Sequence, residues 1–378
     1  MAKRKGKSRN RIKDWQQRYH SEEGYEHDED PHKSFIRREF KIPQRALSAG
    51  AENIDDLPRA EGMVLAQFPG GAVVRIGEDQ LLCGIAGTYR PPDRASALAL
   101  GDIVTVAMIR AEHLDGKVEI DKDRADGVIL ERQPRQTVLC RPQPVSGKRT
   151  DAYETGTFEK VIAANMDTLL IVSSSCQPPI RPGLIDRFLI IAERGELRPV
   201  LVVNKIDLAR QDETALEQFR ELGLEVFLTS ATERRGLDQL VTRLRGGRSV
   251  LAGQSGTGKS TLVNAIVPGA NAATREVRLK DKRGRHTTAT ATIYDLPGGG
   301  IVVDTPGIRE LGMALDATEL PWYFPEFEAL AGQCKFRDCT HVHEPDCAVI
   351  AAAESGRIPR RRYASYLRIL ETIEDRRG

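Results

Sequence analysis

Three groups of residues have the types and spacing to do chemistry. The first is Gly253-Gln254-Ser255-Gly256-Thr257-Gly258-Lys259-Ser260, a G-x-x-x-x-G-K-S phosphate-binding loop with no departure from the pattern. A short apolar run, Ser249–Ala252, precedes it and a helical pattern, Thr261–Ile266, follows, which is the strand–loop–helix context the motif requires. Glycines let the loop wrap phosphates with backbone N–H groups, and the helix start adds a favourable dipole. Every residue from Gly253 to Thr261 is thus expected against the nucleotide, with Lys259 at the β- and γ-phosphates and Ser260 on magnesium.

The second group is Asn204-Lys205-Ile206-Asp207, an N-K-x-D at the end of a buried apolar run. A carboxylate at Asp207 can accept from both guanine N1–H and the exocyclic amine. Adenine offers neither donor in that geometry and leaves the acid unpaired. The next strand pattern ends in Ser230-Ala231-Thr232, which resembles the S-A-x loop that meets guanine O6. Alone, four residues are a weak signal; strand placement and the S-A-x strengthen it. The third group is Cys334, Cys339, His341 and Cys347, spaced C-x4-C-x-H-x5-C. Three thiolates and an imidazole suit one tetrahedral, structural zinc, with His343 as the alternative fourth ligand.

Between the phosphate loop and the cysteines lie the parts that would sense the γ-phosphate. Gly284-Arg285-His286-Thr287-Thr288 ends a long polar stretch in the place of a first switch. A threonine there, Thr288 or else Thr287, would complete the magnesium shell. Asp304-Thr305-Pro306-Gly307 is a D-x-x-G. Asp304 would reach magnesium through water, and the Gly307 N–H would face the γ-phosphate. Residue 308 is Ile, which cannot hydrogen-bond the attacking water as the glutamine of Ras-like enzymes does.

The elements that must position these groups alternate strand and helix. Thr168–Ser174, Pro199–Asn204, Leu224–Thr229 and the run into Gly253 read as buried strands; Leu184–Arg194, Thr214–Leu222 and Leu237–Leu244 read as helices. Thr290–Leu296 and Gly300–Val303 read as two more strands. Such alternation predicts a mainly parallel sheet covered on both faces. The motif order is unusual: about two-thirds of the chain precedes the phosphate loop, and the guanine-reading elements come before the phosphate-reading ones. The usual order is the reverse, so the sequence predicts a circularly permuted P-loop GTPase, α/β in class. Neighbouring chain termini make such a rejoining physically reasonable.

Upstream, Met63–Phe68, Ala72–Ile76, Gln80–Ala86, Asp102–Arg110 and Gly127–Leu130 are short β-rich runs, which suit an OB-fold barrel. Phe68 and Tyr89 are the sparse aromatics there for base stacking, so backbone and shape recognition of RNA is expected rather than sequence readout. Residues 1–18 hold eight basic side chains against one acid, and residues 21–30 hold six acids. This reads as a largely disordered arm: either a solvated tail or an RNA contact. At the other end Arg357, Arg360, Arg361, Arg362 and Arg368 form an expected basic helix face near the cysteines, a second RNA contact or a merely solvated surface. The expected divisions are an arm (1–60), barrel (61–132), linker (133–160), permuted GTPase domain (161–312) and zinc-binding helical domain (313–378).

Formal net charge is only +2, so these local asymmetries nearly cancel. Of six cysteines, Cys83, Cys140 and Cys176 are dispersed and read as packing residues, which excludes a disulfide framework. No apolar run approaches the ~18 residues of a membrane span, and the basic N-terminus lacks an apolar segment of a secretory signal. A cytoplasmic monomer is the expectation.

From residue 62 to the C-terminus, this combination resembles the circularly permuted, ribosome small-subunit-dependent GTPases, the RsgA/YjeQ family. The likeness rests on the barrel, the permuted motif order, Gly-Arg-His-Thr-Thr and C-x4-C-x-H-x5-C. It implies a cytoplasmic bacterial enzyme, GTP hydrolysis stimulated by the 30S subunit, binding to 16S rRNA and a role in late small-subunit maturation. In place of the missing glutamine, His286 is the candidate to position water. It lies beside the metal threonine, and the resemblance points the same way; contact with phosphate or RNA is its alternative role. An RNA-binding factor using GTP as a conformational latch, with incidental hydrolysis, is the competing reading.

Overall fold

The computed structural model describes residues 54–68, 70–92, 96–109, 125–143, 158–208, 213–267, 269–270, 292–304 and 315–374. The charged arm to residue 53, His286, Thr287, Thr288 and Gly307 lie outside the described residues. The chain divides after Arg135 into two compact units.

The first unit is a closed barrel of β1 (Arg59–Phe68), β2 (Gly71–Ile76), β3 (Asp79–Ile85), β4 (Ile103–Met108) and β5 (Gly127–Arg132), in the order β1-β2-β3-β5-β4. All pairings are antiparallel except β3 with β5, as in an OB-like barrel. Alternation builds it: Val104 and Val106 of β4 point inward with Val64, Val74 and Ile129. A bulge at Val64/Ala66 bends β1, so that its first half pairs with β4 and its second with β2. Asp102 is fully buried yet satisfied, accepting from Arg135 Nε at 2.8 Å and Nη2 at 2.9 Å. Tyr89 is a core residue whose hydroxyl donates to the Ala97 carbonyl at 2.6 Å. It is not a stacking platform, and the aromatic expectation reduces to Phe68.

In the second unit, β6 (Val138–Gln143) and β7 (Phe158–Ala164) form an antiparallel pair. The stretch expected as a linker thus contributes strand β6 and the start of β7. The main sheet holds β8 (Thr168–Ser174), β9 (Arg198–Asn204), β10 (Glu225–Leu228), β11 (Arg248–Ala252), β12 (Thr292–Asp295) and β13 (Ile301–Asp304). Its order is β10-β9-β8-β11-β13-β12, parallel apart from β12 at the edge. All seven residues of β8 are buried, because it is flanked by β9 and β11 and covered on its faces. Helices α1 (Pro182–Arg194), α2 (Glu213–Glu221), α3 (Leu237–Leu244) and α4 (Lys259–Ile266) connect the strands. Leu237, Leu240, Leu262 and Ile266 pack on Val172, Val202, Leu251 and Val302 of the sheet. Strands β9 and β10, which lead into N-K-x-D and S-A-T, occupy one side and β11 and β13, which lead into G-x-x-x-x-G-K-S and D-x-x-G, the other, with β8 between β9 and β11. The permutation predicted from motif order is therefore built into the sheet.

The chain ends in α5 (Pro325–Ala331), α6 (Ala348–Glu354) and α7 (Arg360–Glu374). Helix α7 docks on α1. Arg362 is buried, pairing with Asp186 of α1, donating to Glu326 of α5 at 2.6 Å and lying 4.5 Å from the centre of the Phe324 ring. It therefore does not belong to the expected basic face. The hydrophobic period of α7 turns this one arginine inward, while Arg357, Arg360, Arg361 and Arg368 stay exposed.

Candidate active site and metal centre

Parallel strands bring their C-terminal ends to one edge of the sheet, and the nucleotide motifs follow those ends. The phosphate loop leaves β11 through Gly253, whose φ is 143°. A β-carbon there would lie 2.2 Å from the Val172 carbonyl oxygen of β8, so only glycine lets the loop start so close to its neighbour. Thr257 is buried and its hydroxyl donates to the Gln254 carbonyl at 3.0 Å, which closes the loop on itself. Lys259 Nζ donates to the carbonyls of Gly253 at 2.7 Å and Gln254 at 2.8 Å. The ammonium is thus held at the loop's own backbone, beside the helix start where Ser260 and Thr261 are exposed.

The N-K-x-D loop after β9 touches the phosphate loop directly. Asn204 is buried; its Nδ2 donates to the Thr257 carbonyl at 3.2 Å, and its Oδ1 accepts from the Ala231 N–H at 3.1 Å. One side chain thereby ties three motifs together. Lys205 Nζ donates to the Gly256 carbonyl at 2.6 Å and to the Gln177 carbonyl at 2.7 Å. Asn204 and Lys205 are accordingly braces of the loop, whereas Asp207 makes no bond to it among the described residues.

Asp207 Oδ1 is buried and has no hydrogen-bond partner among the described residues. Its other oxygen accepts from the Thr232 hydroxyl at 3.4 Å. A hydrogen bond from Ser230 holds this carboxyl below its ordinary value, with burial opposing. An ionised carboxylate is an acceptor only, so an Oδ1 with no partner among the described residues has room for a further donor. Ser230 and Ala231 sit in the buried turn after β10. On the phosphate side, Asp304 ends β13 opposite Leu251, two residues before Gly253. The second hydroxyl on Asp207, from Thr232, escaped the sequence reading; its position in S-A-T was the available signal.

The cysteine cluster is assembled from a loop and the start of α6. Cys334 Sγ lies 3.8 Å from Cys347 Sγ and 3.7 Å from His341 Nδ1, and His341 Nδ1 lies 3.4 Å from Cys347 Sγ. With Cys339, all four ligand atoms fall within 4.8 Å of one another. Ordinary zinc–sulfur and zinc–nitrogen lengths in a tetrahedron require separations of about 3.8 Å and about 3.6 Å, so the donor set fits zinc. His341, not His343, joins the group. Burial lowers the His341 pKa and favours the neutral imidazole that a metal needs. Cys83, Cys140 and Cys176 take no part in it.

What holds the His341 loop was not apparent from the cysteine spacing. His341 has a φ of 60°. Its carbonyl accepts from the Tyr363 hydroxyl at 2.8 Å, and the Thr340 carbonyl accepts from Tyr366 at 2.5 Å, both from α7. Glu344 accepts from the N–H groups of Thr340, Val342 and His343 and from the Thr340 hydroxyl. Burial alone would raise the Glu344 pKa, but these bonds hold it well below the usual carboxylate range. A depressed acid stabilises the fold above its ordinary pKa of about 4.3 and loses that contribution as pH falls through the folded value. Glu344→Gln should cost about 1.5–3 kcal/mol at pH 7, the range for bonds to a charged group. In chemical denaturation the difference from wild type should stay constant from pH 8 to about 5 and close only below about 4.

Fold and site together define a circularly permuted P-loop GTPase with an N-terminal OB-like barrel and a C-terminal Cys/His centre. The RsgA GTPase family model matches residues 132–314. "Small ribosomal subunit biogenesis GTPase RsgA" of Chlorobaculum tepidum is 39% identical over 294 residues, covering 77% of this chain and 90% of the relative. The protein of that name from Ectopseudomonas mendocina is 38% identical over 347 residues, covering 89% and 92%. Among solved structures, YjeQ from Thermotoga maritima matches with a TM-score of 0.59 and 31% identity over 84% of this chain and 99% of that one. YloQ, described as a circularly permuted GTPase, matches with a TM-score of 0.58 and 27% identity over 84% and 96%. The chain belongs to the RsgA GTPase family and is a GTP-hydrolysing enzyme.

Proposed function

We propose that this GTPase acts in biogenesis of the small ribosomal subunit, in the cytoplasm and as a monomer, binding the 30S subunit through 16S rRNA late in maturation. Its relatives carry that biogenesis role in their names, and no helix among the described residues is long and apolar enough to cross a membrane. The observation that carries the nucleotide assignment is the Oδ1 of Asp207, buried and without a partner among the described residues, on a loop tied by Asn204 and Lys205 to the phosphate loop. Asp207 would accept from guanine, Ala231 would offer its loop backbone to O6, and the N–H groups of residues 253–261 with Lys259 would take the phosphates.

Ser260, Thr288 or Thr287, and Asp304 through water would hold magnesium, which supplies charge neutralisation at the phosphates when bound. Cys334, Cys339, His341 and Cys347 would hold one structural zinc. The divisions 1–60, 61–132, 133–160, 161–312 and 313–378 serve as arm, barrel, connector, GTPase domain and zinc-binding helical domain. The exposed Arg357, Arg360, Arg361 and Arg368 near the Cys/His centre suit phosphate-backbone contact.

Because residue 308 is Ile, water positioning falls to His286, and RNA-induced ordering of its loop would make turnover partner-dependent. Single-turnover GTP hydrolysis with and without 30S subunits tests this. We expect stimulation of roughly 10²-fold or more, the scale on which a positioned catalytic group acts. His286→Ala should bind GTP as wild type does and lose most of the stimulation. Absence of any stimulation would favour the latch reading, and unchanged stimulated turnover in the variant would remove His286 from the mechanism.

A further inference from the structure

We propose that Ser175 is a positioning residue for guanine recognition, acting through the backbone turn at Lys205; this rests on the reading of Asp207 as the guanine acceptor. Lys205 has a φ of 63°, in the left-handed region that disfavours any residue with a β-carbon. The turn therefore needs an external hold, and β8, the strand beside β9, supplies it. Ser175 directly follows β8. Its N–H donates to the Asn204 carbonyl at 2.9 Å, and its hydroxyl donates to the Lys205 carbonyl at 2.5 Å.

One residue thus holds two successive carbonyls, on either side of the left-handed residue. The Lys205 side chain closes the circuit by donating to Gln177, two residues beyond Ser175. The Lys205 carbonyl also accepts from the Leu208 N–H at 3.1 Å, so the group that Ser175 grips opens the turn carrying Asp207. A peptide plane released here would rotate and swing the Asp207 carboxylate away from the base. Ser175 does not belong to the N-K-x-D, S-A-x or phosphate-loop motifs. Its role follows from the hydroxyl's placement across two strands.

The test is equilibrium binding of GDP, IDP and ADP to the full chain and to Ser175→Ala, Ser175→Thr and Asp207→Asn. Inosine lacks the exocyclic amine, one of the two donors facing Asp207. Ser175→Ala should weaken GDP binding roughly 2–10-fold, the ordinary share of one hydrogen bond. It should weaken IDP binding less, and Ser175→Thr should restore GDP affinity. Wild-type GDP affinity in Ser175→Ala would overturn the proposal. So would equal losses for all three nucleotides, which would mean general disorder of the loop. Should Ser175→Ala fail to fold, Ser175→Cys keeps the volume with a weak donor and is read the same way. If Asp207→Asn leaves GDP affinity unchanged, the guanine reading itself has failed; if that variant loses GDP and Ser175→Ala does not, only the Ser175 role is lost.

Discussion

Asp207→Asn is expected to weaken GDP binding about 10²-fold or more, through loss of the charge-assisted hydrogen bonds that a carboxylate accepts from guanine. The same change should create affinity for XDP. Guanine presents two donors to the carboxylate, whereas xanthine carries a carbonyl in place of the amine, and an Asn amide can donate to it. The structural basis is specific: Oδ1 is buried without a partner among the described residues, and the other oxygen accepts from Thr232. The fold should survive, because Asn is isosteric and the braces on the phosphate loop come from Asn204 and Lys205. Parallel titrations with GDP and XDP check it, and GDP still preferred over XDP would contradict the assignment.

Arg362→Met is expected to destabilise the second unit by about 3–5 kcal/mol, the range for removing one partner of a buried ion pair. Asp186 is about nine-tenths buried or more, and Arg362 supplies its partner across the α1–α7 contact. Met keeps the side chain's bulk over Phe324, so the loss reports the charge rather than a cavity. Combining Arg362→Met with Asp186→Leu should recover part of the stability, since the fully buried acid is then gone, while Glu326, 18% exposed, still lacks its partner. Urea denaturation of the two single variants and the double variant measures the coupling. If the two single effects simply sum to that of the double variant, the pair is not an interacting unit.

Arg362 also marks where reading the chain without coordinates stops. The period of α7 places it on the buried face, but its counter-ions are Asp186 and Glu326, 176 and 36 residues away, and no local pattern shows what neutralises it there. Tyr89 failed for a related reason: an aromatic in a barrel is as suited to the core as to a stacked base, and only its bond to Ala97 decides. Strand β6 was obscured by its composition, because the surroundings of Val138–Gln143 are rich in Pro, Arg and Lys. It pairs with β7 nonetheless.

By contrast, the permuted sheet was readable because long buried apolar runs and G-x-x-x-x-G-K-S have few alternative uses. Leu237–Leu244 came out with the boundaries expected. The choice of His341 over His343 was not readable, because both sit within reach of the cysteines along the chain. The left-handed turn at His341 and the grip of Tyr363 and Glu344 on its loop settle which ring enters the cluster.

The central claim is that two motif sets, exchanged in chain order, close on one guanine nucleotide. Its most direct test is a calorimetric titration of the full chain with GDP and with ADP, each with magnesium. The account predicts one GDP bound per chain and ADP binding weaker by at least about 10²-fold, the scale of an unfilled buried acceptor. Equal affinity for the two, or no saturable GDP site, would contradict it.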